Sequence, residues 1–385
     1  MQSRLELVDA NSVTNVICEN HRLHTDLEKM PGHHYVVWNN KGGTGKTTLT
    51  FHLSTQYAID NKNKKVLVID MCPQANISSA LLTRMDTRPG MPGDVVLDTI
   101  IAGPKIKGKY DKSVCGYLMS QIVKDHVDPN EFLIQPSEYN RHLANNVYLL
   151  CGYPYLEVLA KRLEQERRLD DMGSDKPWLR VTLFIKNFIQ KLGEDYTVFI
   201  DTNPAFTVYT ELAISAATRI IVPVNADDFS RSALHSLLWL LYGIPLRERE
   251  EDLYHALQAD KFSSKADTYK LEVPKIYLVI SNRITNYSTR ASMAFGAKSN
   301  DIWDVLRAVG DRVDRNKILV NEEENEYQME MIDLHKNSVL CLHLGCPLSS
   351  LPAQVSMGGD GGIVKISRDD KERYLGHLRT IVGRL

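Results

Sequence analysis

A chain of 385 residues can bury a large core, either as two domains or as one α/β domain with additions. Its 46 basic and 48 acidic side chains nearly cancel, which excludes nucleic-acid binding through overall charge and leaves only a local basic surface. The apolar fraction of 43% is ordinary for a globular protein, and no window has the ~18–20 apolar residues of a membrane span.

Residues 1–34 precede the first predicted strand. Apolar residues at helical spacing between Asn11 and Met30 predict one helix, which Pro31-Gly32 ends. This segment has no apolar core of a signal peptide, so we expect a cytoplasmic protein. It is also too short for a helix-turn-helix domain. The interpretation that we favour is a packing or dimer-bracing helix.

The cysteines are scattered and form no Cys-x-x-Cys pair. This usage favours free thiols in a reducing compartment over a disulfide framework. One group, Cys18 with His21 and His24, has the composition of a metal site but only three candidate ligands. We therefore do not predict zinc there.

A strand, a glycine-rich turn and a helix follow one another from Tyr35 onward. The apolar run Tyr35–Trp38 predicts a buried strand, and an apolar-periodic helix begins after the turn. Glycines let successive backbone N–H groups converge on phosphate oxygens at a helix N-terminus. In such a loop Lys46 reaches the β- and γ-phosphates, and the Thr47 hydroxyl is a direct Mg²⁺ ligand. The predicted nucleotide-binding residues are Gly42, Gly43, Thr44, Gly45, Lys46, Thr47 and Thr48.

Alternating strands and helices then predict a doubly wound, mostly parallel α/β sheet with helices on both faces. The predicted strands are Val66–Asp70, Asn146–Gly152, one beginning at Tyr196, Ile220–Val224, Lys275–Asn282 and Lys317–Val320. The predicted helices include Val95–Ile101, Ser113–Val127, Tyr155–Arg168, Trp178–Leu192, one beginning at Ser232, and a C-terminal helix whose apolar stripe runs from Tyr374 to Leu385.

Asp70 and Asp201 lie at the carboxyl ends of two strands that we expect to be adjacent. Ligands of open α/β sheets bind at that edge. Because Mg²⁺ keeps most of its hydration shell, we expect these carboxylates to orient its water molecules.

The two-lysine loop Lys41-Gly42-Gly43-Thr44-Gly45-Lys46-Thr47-Thr48 resembles the deviant Walker A motif of the ParA/MinD family of ATPases. Asp70–Asn76 is similar to the second motif of that family, Tyr196–Pro204 to its Walker B strand, and Ile220–Val224 to the strand before its adenine pocket. The resemblance implies a P-loop NTPase domain over residues 35–385, after the helical extension 1–34. Residues 86–146 are longer than the matching part of a minimal family member, and we interpret them as an insertion beside the nucleotide site.

The resemblance also implies roles for individual residues. Lys41 crosses a dimer interface to contact the partner's nucleotide phosphates and acts catalytically with Lys46. Pro223 and Asn282 end strands that border the adenine, although either residue could equally be a cap or loop residue. For nonspecific DNA, the corresponding region contributes arginines, here Arg283 and Arg290; scattered arginines can also be simply solvated.

Cys72 departs from the family pattern, which has an aspartate at this position to orient or activate the attacking water. Asp70 and Pro73 on either side match, so the register is secure. A neutral thiol accepts hydrogen bonds weakly and its usual pKa leaves little thiolate, so we expect slow hydrolysis. A thiolate activated by a neighbouring lysine is the alternative.

Together these features predict an ATPase that binds ATP and Mg²⁺, forms a homodimer when ATP-bound, and acts in DNA partition or cargo positioning over the nucleoid with a partner or adaptor protein. One alternative is a MinD-like regulator that cycles on a membrane through the C-terminal stripe. Another is a defence or signalling switch. A redox enzyme like the nitrogenase iron protein is disfavoured, because no cysteine closely follows Asp201–Phe206.

Overall fold

The computed structural model describes residues 32–84, 90–193, 195–225, 227–245, 261–284, 303–309, 314–321, 323–332, 335–356 and 363–385. The predicted helix between Asn11 and Met30 and the Cys18, His21 and His24 group lie outside these residues, so both interpretations stay predictions.

In the described part of the chain, a parallel sheet of seven strands forms the centre of the molecule. Its strands are β1 (His34–Val37), β2 (Lys65–Met71), β3 (Val147–Leu150), β4 (Tyr196–Thr202), β5 (Arg219–Val224), β6 (Lys275–Ile284) and β7 (Gln328–Ile332). They lie in the order β3-β2-β4-β1-β5-β6-β7, and every neighbouring pair is parallel. Parallel strands need crossovers, and those crossovers place helices on both faces. The predicted doubly wound α/β fold is confirmed.

The two faces of the sheet carry separate apolar cores, because alternate side chains of each strand point to opposite faces. Val36 and Leu67 belong to one core, and their neighbours Val37 and Val68 belong to the other. Helices α4 (Val114–Ile122), α5 (Tyr155–Arg167), α6 (Pro177–Thr182), α7 (Phe184–Lys191), α8 (Val208–Ala216), α9 (Asp228–Tyr242) and α10 (Phe262–Tyr269) contribute to the first core. Helices α1 (Lys46–Asp60), α2 (Asn76–Leu82), α3 (Gly93–Ala102), α12 (His335–Leu344) and α13 (Arg368–Val382) contribute to the second. The short helix α11 (Glu324–Tyr327) precedes β7, and β8 (Gln354–Ser356) pairs antiparallel with β9 (Ile363–Lys365).

The predicted insertion is divided between the two faces. Its helix α3 packs in the core of α1 and α2, whereas α4 packs in the opposite core. Residues 90–146 are therefore built into the sheet domain. The boundaries of the extension and of the insertion stay predictions.

The strand predicted at Lys317–Val320 is wrong. Arg315–Lys317 form a 3₁₀ turn, whose N-cap Asp314 accepts a hydrogen bond from the Asn316 amide, and Leu319 makes only an isolated bridge to Ile276. The strand beside β6 is instead β7, Gln328–Ile332, where the alternation of Gln, Met and Glu gave no apolar run to detect. The helix predicted over Trp178–Leu192 is two helices, α6 and α7, with Leu183 between them.

The C-terminal apolar stripe packs inside the protein. Tyr374, Leu378 and Ile381 of α13 are buried in the core that also contains α1. The Tyr35 hydroxyl donates to the Leu385 carbonyl at 2.6 Å, which fixes the end of this helix against β1. Among the described helices, none has both the length and the apolar character needed to cross a membrane.

One buried ion pair joins α5 to α8. Arg167 donates through Nη1 to Glu211 Oε2 at 2.6 Å and through Nη2 to Glu164 Oε1 at 2.7 Å. The Arg167 and Glu211 side chains are only 14% and 9% exposed. Replacing Arg167 would leave the Glu211 charge buried without its partner.

We expect Arg167→Met to lower the free energy of unfolding by about 2–4 kcal/mol, measured by urea denaturation. The double variant Arg167→Met/Glu211→Leu should recover most of that loss, because the Glu211 charge is removed and Glu164, which also loses Arg167, is 32% exposed to solvent. The control is Arg162→Met, whose pair with Glu166 is solvent-exposed on the arginine side at 57% and should cost under about 1 kcal/mol. Equal losses in Arg162→Met and Arg167→Met would contradict the prediction.

Candidate functional site

The loop between β1 and α1 has the backbone that a phosphate cradle needs. Gly43 and Gly45 have φ of +71° and +86°, in the left-handed region that favours glycine. A Cβ at Gly45 would lie 2.3 Å from Asn282 Nδ2. The helix α1 begins at Lys46, so its unpaired N–H groups open toward this loop.

The two residues predicted to border the adenine both form hydrogen bonds to the segment between β1 and α1, Asn282 to its backbone and Pro223 to the Asn39 side chain. Asn282 Nδ2 donates to the Thr44 carbonyl at 2.9 Å, and the Pro223 carbonyl accepts from Asn39 Nδ2 at 2.8 Å. The ends of β5 and β6 therefore fix the shape of the loop. Their contact with a base stays a prediction, and Asn39 is a buried member of the site that the sequence motif did not reveal.

Lys46 points back into the loop. Its Nζ donates to the Asn39 carbonyl at 3.0 Å and to the Lys41 carbonyl at 2.8 Å. Burial lowers its pKa to about 8, and the carboxylate of Asp201 opposes that shift. A buried ammonium whose partners are neutral carbonyls is suited to an incoming phosphate.

Asp70 and Asp201 lie directly opposite each other at the ends of β2 and β4, as predicted. Thr47 Oγ1 donates to Asp201 at 2.8 Å, which brings together the metal-site residues predicted from the loop and from the Walker B strand. Asp70 accepts from the Cys72 amide at 3.0 Å and from Ser78 Oγ at 2.7 Å. The sequence did not single out Ser78, which reaches Asp70 from the first turn of α2.

Both carboxylates are completely buried, and neither forms an ion pair with a described residue. Burial raises the pKa of Asp70 and of Asp201 above the usual range, and the charge of Asp70 raises that of Asp201 further. A carboxylate pair beside a threonine hydroxyl fits Mg²⁺, which prefers oxygen ligands and would neutralise this charge. No group of three or more His, Cys, Asp or Glu suited to a metal occurs among the described residues, so such a site depends on water for its remaining ligands.

The Cys72 thiol is buried beside this pair. Burial raises its pKa to about 12, and the charges of Asp70 and Asp201 add to the rise. The charge of Lys46 lowers the Cys72 pKa, but this effect is the smallest of those that act on the thiol. The thiol is therefore neutral at physiological pH, which argues against the alternative of a lysine-activated thiolate.

Lys41 forms its contacts with the start of α9. Its Nζ forms an ion pair with Asp227, lies 3.4 Å from Ser230 Oγ and sits 5.6 Å from the centre of the Phe229 ring. Partial burial alone would raise the pKa of Asp227, but the bonds from Lys41 and from the Ser230 amide bring it below the usual value. The sequence analysis missed Asp227, whose only local signal is its position before α9 as an N-cap.

The predicted DNA contacts cannot be placed. Arg283 lies on β6, but its side chain and the whole of Arg290 lie outside the described residues. Their role stays a prediction.

A cavity of about 780 Å³ opens beside the start of α1, at Thr47 and Thr48. It runs between the helices of the second core and is also lined by Asn76, Ser79, Ala80, Thr83, Gly90, Pro92, Gly93, Asp94, Val339, Leu342 and His343. The start of α3, in the predicted insertion, therefore forms part of a wall next to the loop.

Residues 33–244, more than half of the chain, match the family described as AAA domain. The chain belongs to that family and is a P-loop ATPase of the ParA/MinD type.

The curated relatives are distant. The virulence plasmid ParA family protein pGP5-D of Chlamydia psittaci is 25% identical over 198 residues, which is 51% of this chain and 58% of that protein. An uncharacterised protein of Methanocaldococcus jannaschii is 24% identical over 203 residues, 52% of this chain and 62% of that protein. The matches thus span less than two thirds of the length of these relatives.

Solved structures agree on the fold. The ATP complex of a McdA variant from Cyanothece covers 92% of this chain and 98% of its own, with 17% identity and a TM-score of 0.52. The apo form of McdA covers 82% of this chain and 92% of its own, with 19% identity and a TM-score of 0.50. At these identities the likeness concerns the fold alone.

We expect Gly45→Ala to disrupt the cradle. A left-handed backbone at a non-glycine residue costs about 1–3 kcal/mol, and the added methyl group would also displace the Asn282 amide. ATP affinity, measured by titration calorimetry, should fall by about tenfold or more.

The control is Gly376→Ala on the exposed side of α13, where an added Cβ meets no atom within 4 Å. Because alanine favours a helix over glycine, this variant should gain up to about 1 kcal/mol of stability and keep its ATP affinity. Wild-type ATP affinity in Gly45→Ala would show that the loop does not hold the phosphates.

Proposed function

We propose that this protein is an ATP-dependent dimerising switch of the ParA type, which acts in DNA partition or cargo positioning. The observation that carries the proposal is the pair of lysines in one loop. Lys46 points inward to the loop carbonyls, whereas Lys41 pairs with Asp227 at the start of α9. A single nucleotide needs only the first of them, so the second can serve a partner subunit once it leaves Asp227. The name of the Chlamydia psittaci relative, a plasmid ParA family protein, supports the partition role.

Each residue of the cradle has a part in binding MgATP. Lys46 and the amides of the loop hold the phosphates, and their attraction is strengthened because the site is buried. Thr47 would ligate Mg²⁺ directly, while Asp70 and Asp201 would orient its water molecules. Bound Mg²⁺ supplies the positive charge that neutralises the phosphates during transfer. ADP leaves the last phosphate position empty, which gives the switch its two states.

Hydrolysis is proposed to be slow. A neutral, buried Cys72 cannot take the proton-accepting or water-orienting part that a carboxylate plays. The ATP-bound dimer therefore persists until a partner or adaptor protein supplies the missing group. The protein is better described as an ATP-operated switch than as a fast ATPase.

Nonspecific DNA is the surface on which we propose that the ATP form acts. Since the charge of the whole chain is near zero, binding requires a local set of arginines, for which Arg283 and Arg290 are our candidates. Such phosphate contacts carry no sequence information and weaken with salt. The membrane-cycling alternative needs the C-terminal stripe at a bilayer, but in this structure the stripe is buried in the core.

The two lysines should separate binding from dimerisation. We expect Lys46→Ala to lower ATP affinity by about 10- to 100-fold, because it removes a charged hydrogen-bond donor from the phosphates. Lys41→Ala should keep its ATP affinity within about threefold, because this residue serves the other subunit, yet remain monomeric in sedimentation with MgATP. Random duplex DNA should bind the wild type in ATP, and neither variant. An ATP-dependent dimer of undiminished strength in Lys41→Ala would refute the trans role, and equal DNA binding in ADP would refute the switch.

Restoring a carboxylate should restore turnover. We expect Cys72→Asp to raise the steady-state rate of ATP hydrolysis by about 10²-fold or more, by the usual worth of a group that positions or activates water. Cys72→Ser is the matched control, because its hydroxyl has similar size but no charge, and it should stay slow. Affinity for a non-hydrolysable ATP analogue should be similar in all three proteins. Brisk wild-type turnover with no gain in Cys72→Asp would assign the water to another residue.

A further inference from the structure

The ion pair between Lys41 and Asp227 joins two segments that are 186 residues apart in the chain. Lys41 is 20% exposed and Asp227 is 37% exposed, so the pair lies at the rim of the site and not in its core. The ammonium also lies within 3.4 Å of Ser230 Oγ. In this conformation the Lys41 ammonium is therefore engaged by residues of its own chain.

The Asp227 side chain is positioned by the helix cap, independently of its contact with Lys41. One carboxylate oxygen accepts from the Ser230 amide at 2.8 Å and caps α9, and the other faces the lysine. Ser230 Oγ in turn accepts from the Asn225 amide at 3.1 Å. Because the helix cap already orders the acceptor, little side-chain freedom is lost when the lysine binds, which favours this pair over an ordinary surface pair.

Phe229 makes a second contact with the Lys41 ammonium. Its ring is 75% exposed, and Lys41 Nζ lies 5.6 Å from its centre, within the range of a cation–π contact. A large aromatic ring exposed at the rim of the cradle would also lie next to any subunit that docks there.

One ammonium cannot satisfy Asp227 and a partner's phosphates at once. We propose that Asp227 is a positioning residue that holds Lys41 within its own subunit, so that ATP-driven dimerisation has to transfer Lys41 from Asp227 to the partner's nucleotide. The destination of Lys41 rests on the proposed function, whereas the hold within one subunit does not. ATP, with one more phosphate than ADP, offers the stronger competing anion, so the hold opposes dimerisation in ADP and raises the ATP level at which dimers form.

The test variant is Asp227→Asn. An asparagine side-chain oxygen can still accept from the Ser230 amide and is among the best N-caps, so α9 keeps its start while the charge that holds Lys41 is lost. The matched control is Asp128→Asn, which makes the same change at the N-cap of the 3₁₀ helix Pro129–Phe132, where Asp128 accepts from the Asn130 amide.

The first measurement follows Lys41 in the nucleotide-free protein. The rate of its acetylation by acetic anhydride is read by peptide mass spectrometry, with the exposed Lys62 as internal reference. We expect about a two- to fivefold faster reaction in Asp227→Asn, which corresponds to the loss of a partly exposed ion pair, and no change in Asp128→Asn. An unchanged rate in Asp227→Asn would overturn the hold.

The second measurement is the ATP concentration at the midpoint of dimerisation, by sedimentation. Two holds break and two ATP molecules bind for each dimer formed, so the ATP midpoint should fall in Asp227→Asn by the factor for one hold, about two- to fivefold, and stay constant in Asp128→Asn. A midpoint that is unchanged or higher in Asp227→Asn would overturn the transfer, because Asp227 would then not compete with the nucleotide. A wild-type chain that stays monomeric in ATP would overturn the proposed function and the transfer together, and the acetylation rates would still decide the hold.

Discussion

Two carboxylates without an ion-pair partner among the described residues are buried side by side where β2 and β4 end, and the surrounding structure has to offset their desolvation. Hydroxyl and amide donors do this in part. Thr47 and Thr50 donate to Asp201, and Ser78 together with the Cys72 amide donates to Asp70. Every one of these donors comes from the turn or helix that follows a strand. The parallel register therefore places the two carboxylates side by side. The segments that connect the strands supply their hydrogen-bond donors.

Lys46 is also a buried charge, but a positive one, and its desolvation likewise has to be offset. Its ammonium is buried under loop carbonyls, and burial lowers its pKa, so the cradle holds desolvated charge of opposite sign at its two ends. A phosphate chain with Mg²⁺ would bring negative charge to the lysine and positive charge to the carboxylates. The favourable electrostatic energy would then require the phosphate chain and Mg²⁺ to bind together. This complementarity is the physical basis on which the proposed switch would respond to a bound nucleotide.

Sequence reasoning succeeded where the signal is contiguous. The loop from Lys41 to Thr48 and the strand that ends at Asp70 each contain their own pattern, and the structure brings them together as expected. It failed for an edge strand of the sheet and for residues whose role depends on a contact with a distant part of the chain. β7 has no continuous apolar run, and Lys317–Val320 has one but ends a turn. Asp227 and Ser78 carry no motif, because an N-cap or a helical serine becomes a partner only when the sheet places a distant charge beside it.

The thiol at position 72 can be understood within this charge balance. A carboxylate there would be the third in one buried cluster, and like charges at such distances raise one another's pKa and destabilise the folded state. The neutral Cys72 removes that repulsion while its amide still donates to Asp70. The nucleotide-free state gains stability, and the group that would activate water is lost. In the switch that we propose, a neutral residue at position 72 thus favours both a stable resting form and a slow return from the ATP state, the two properties needed if other proteins set the timing.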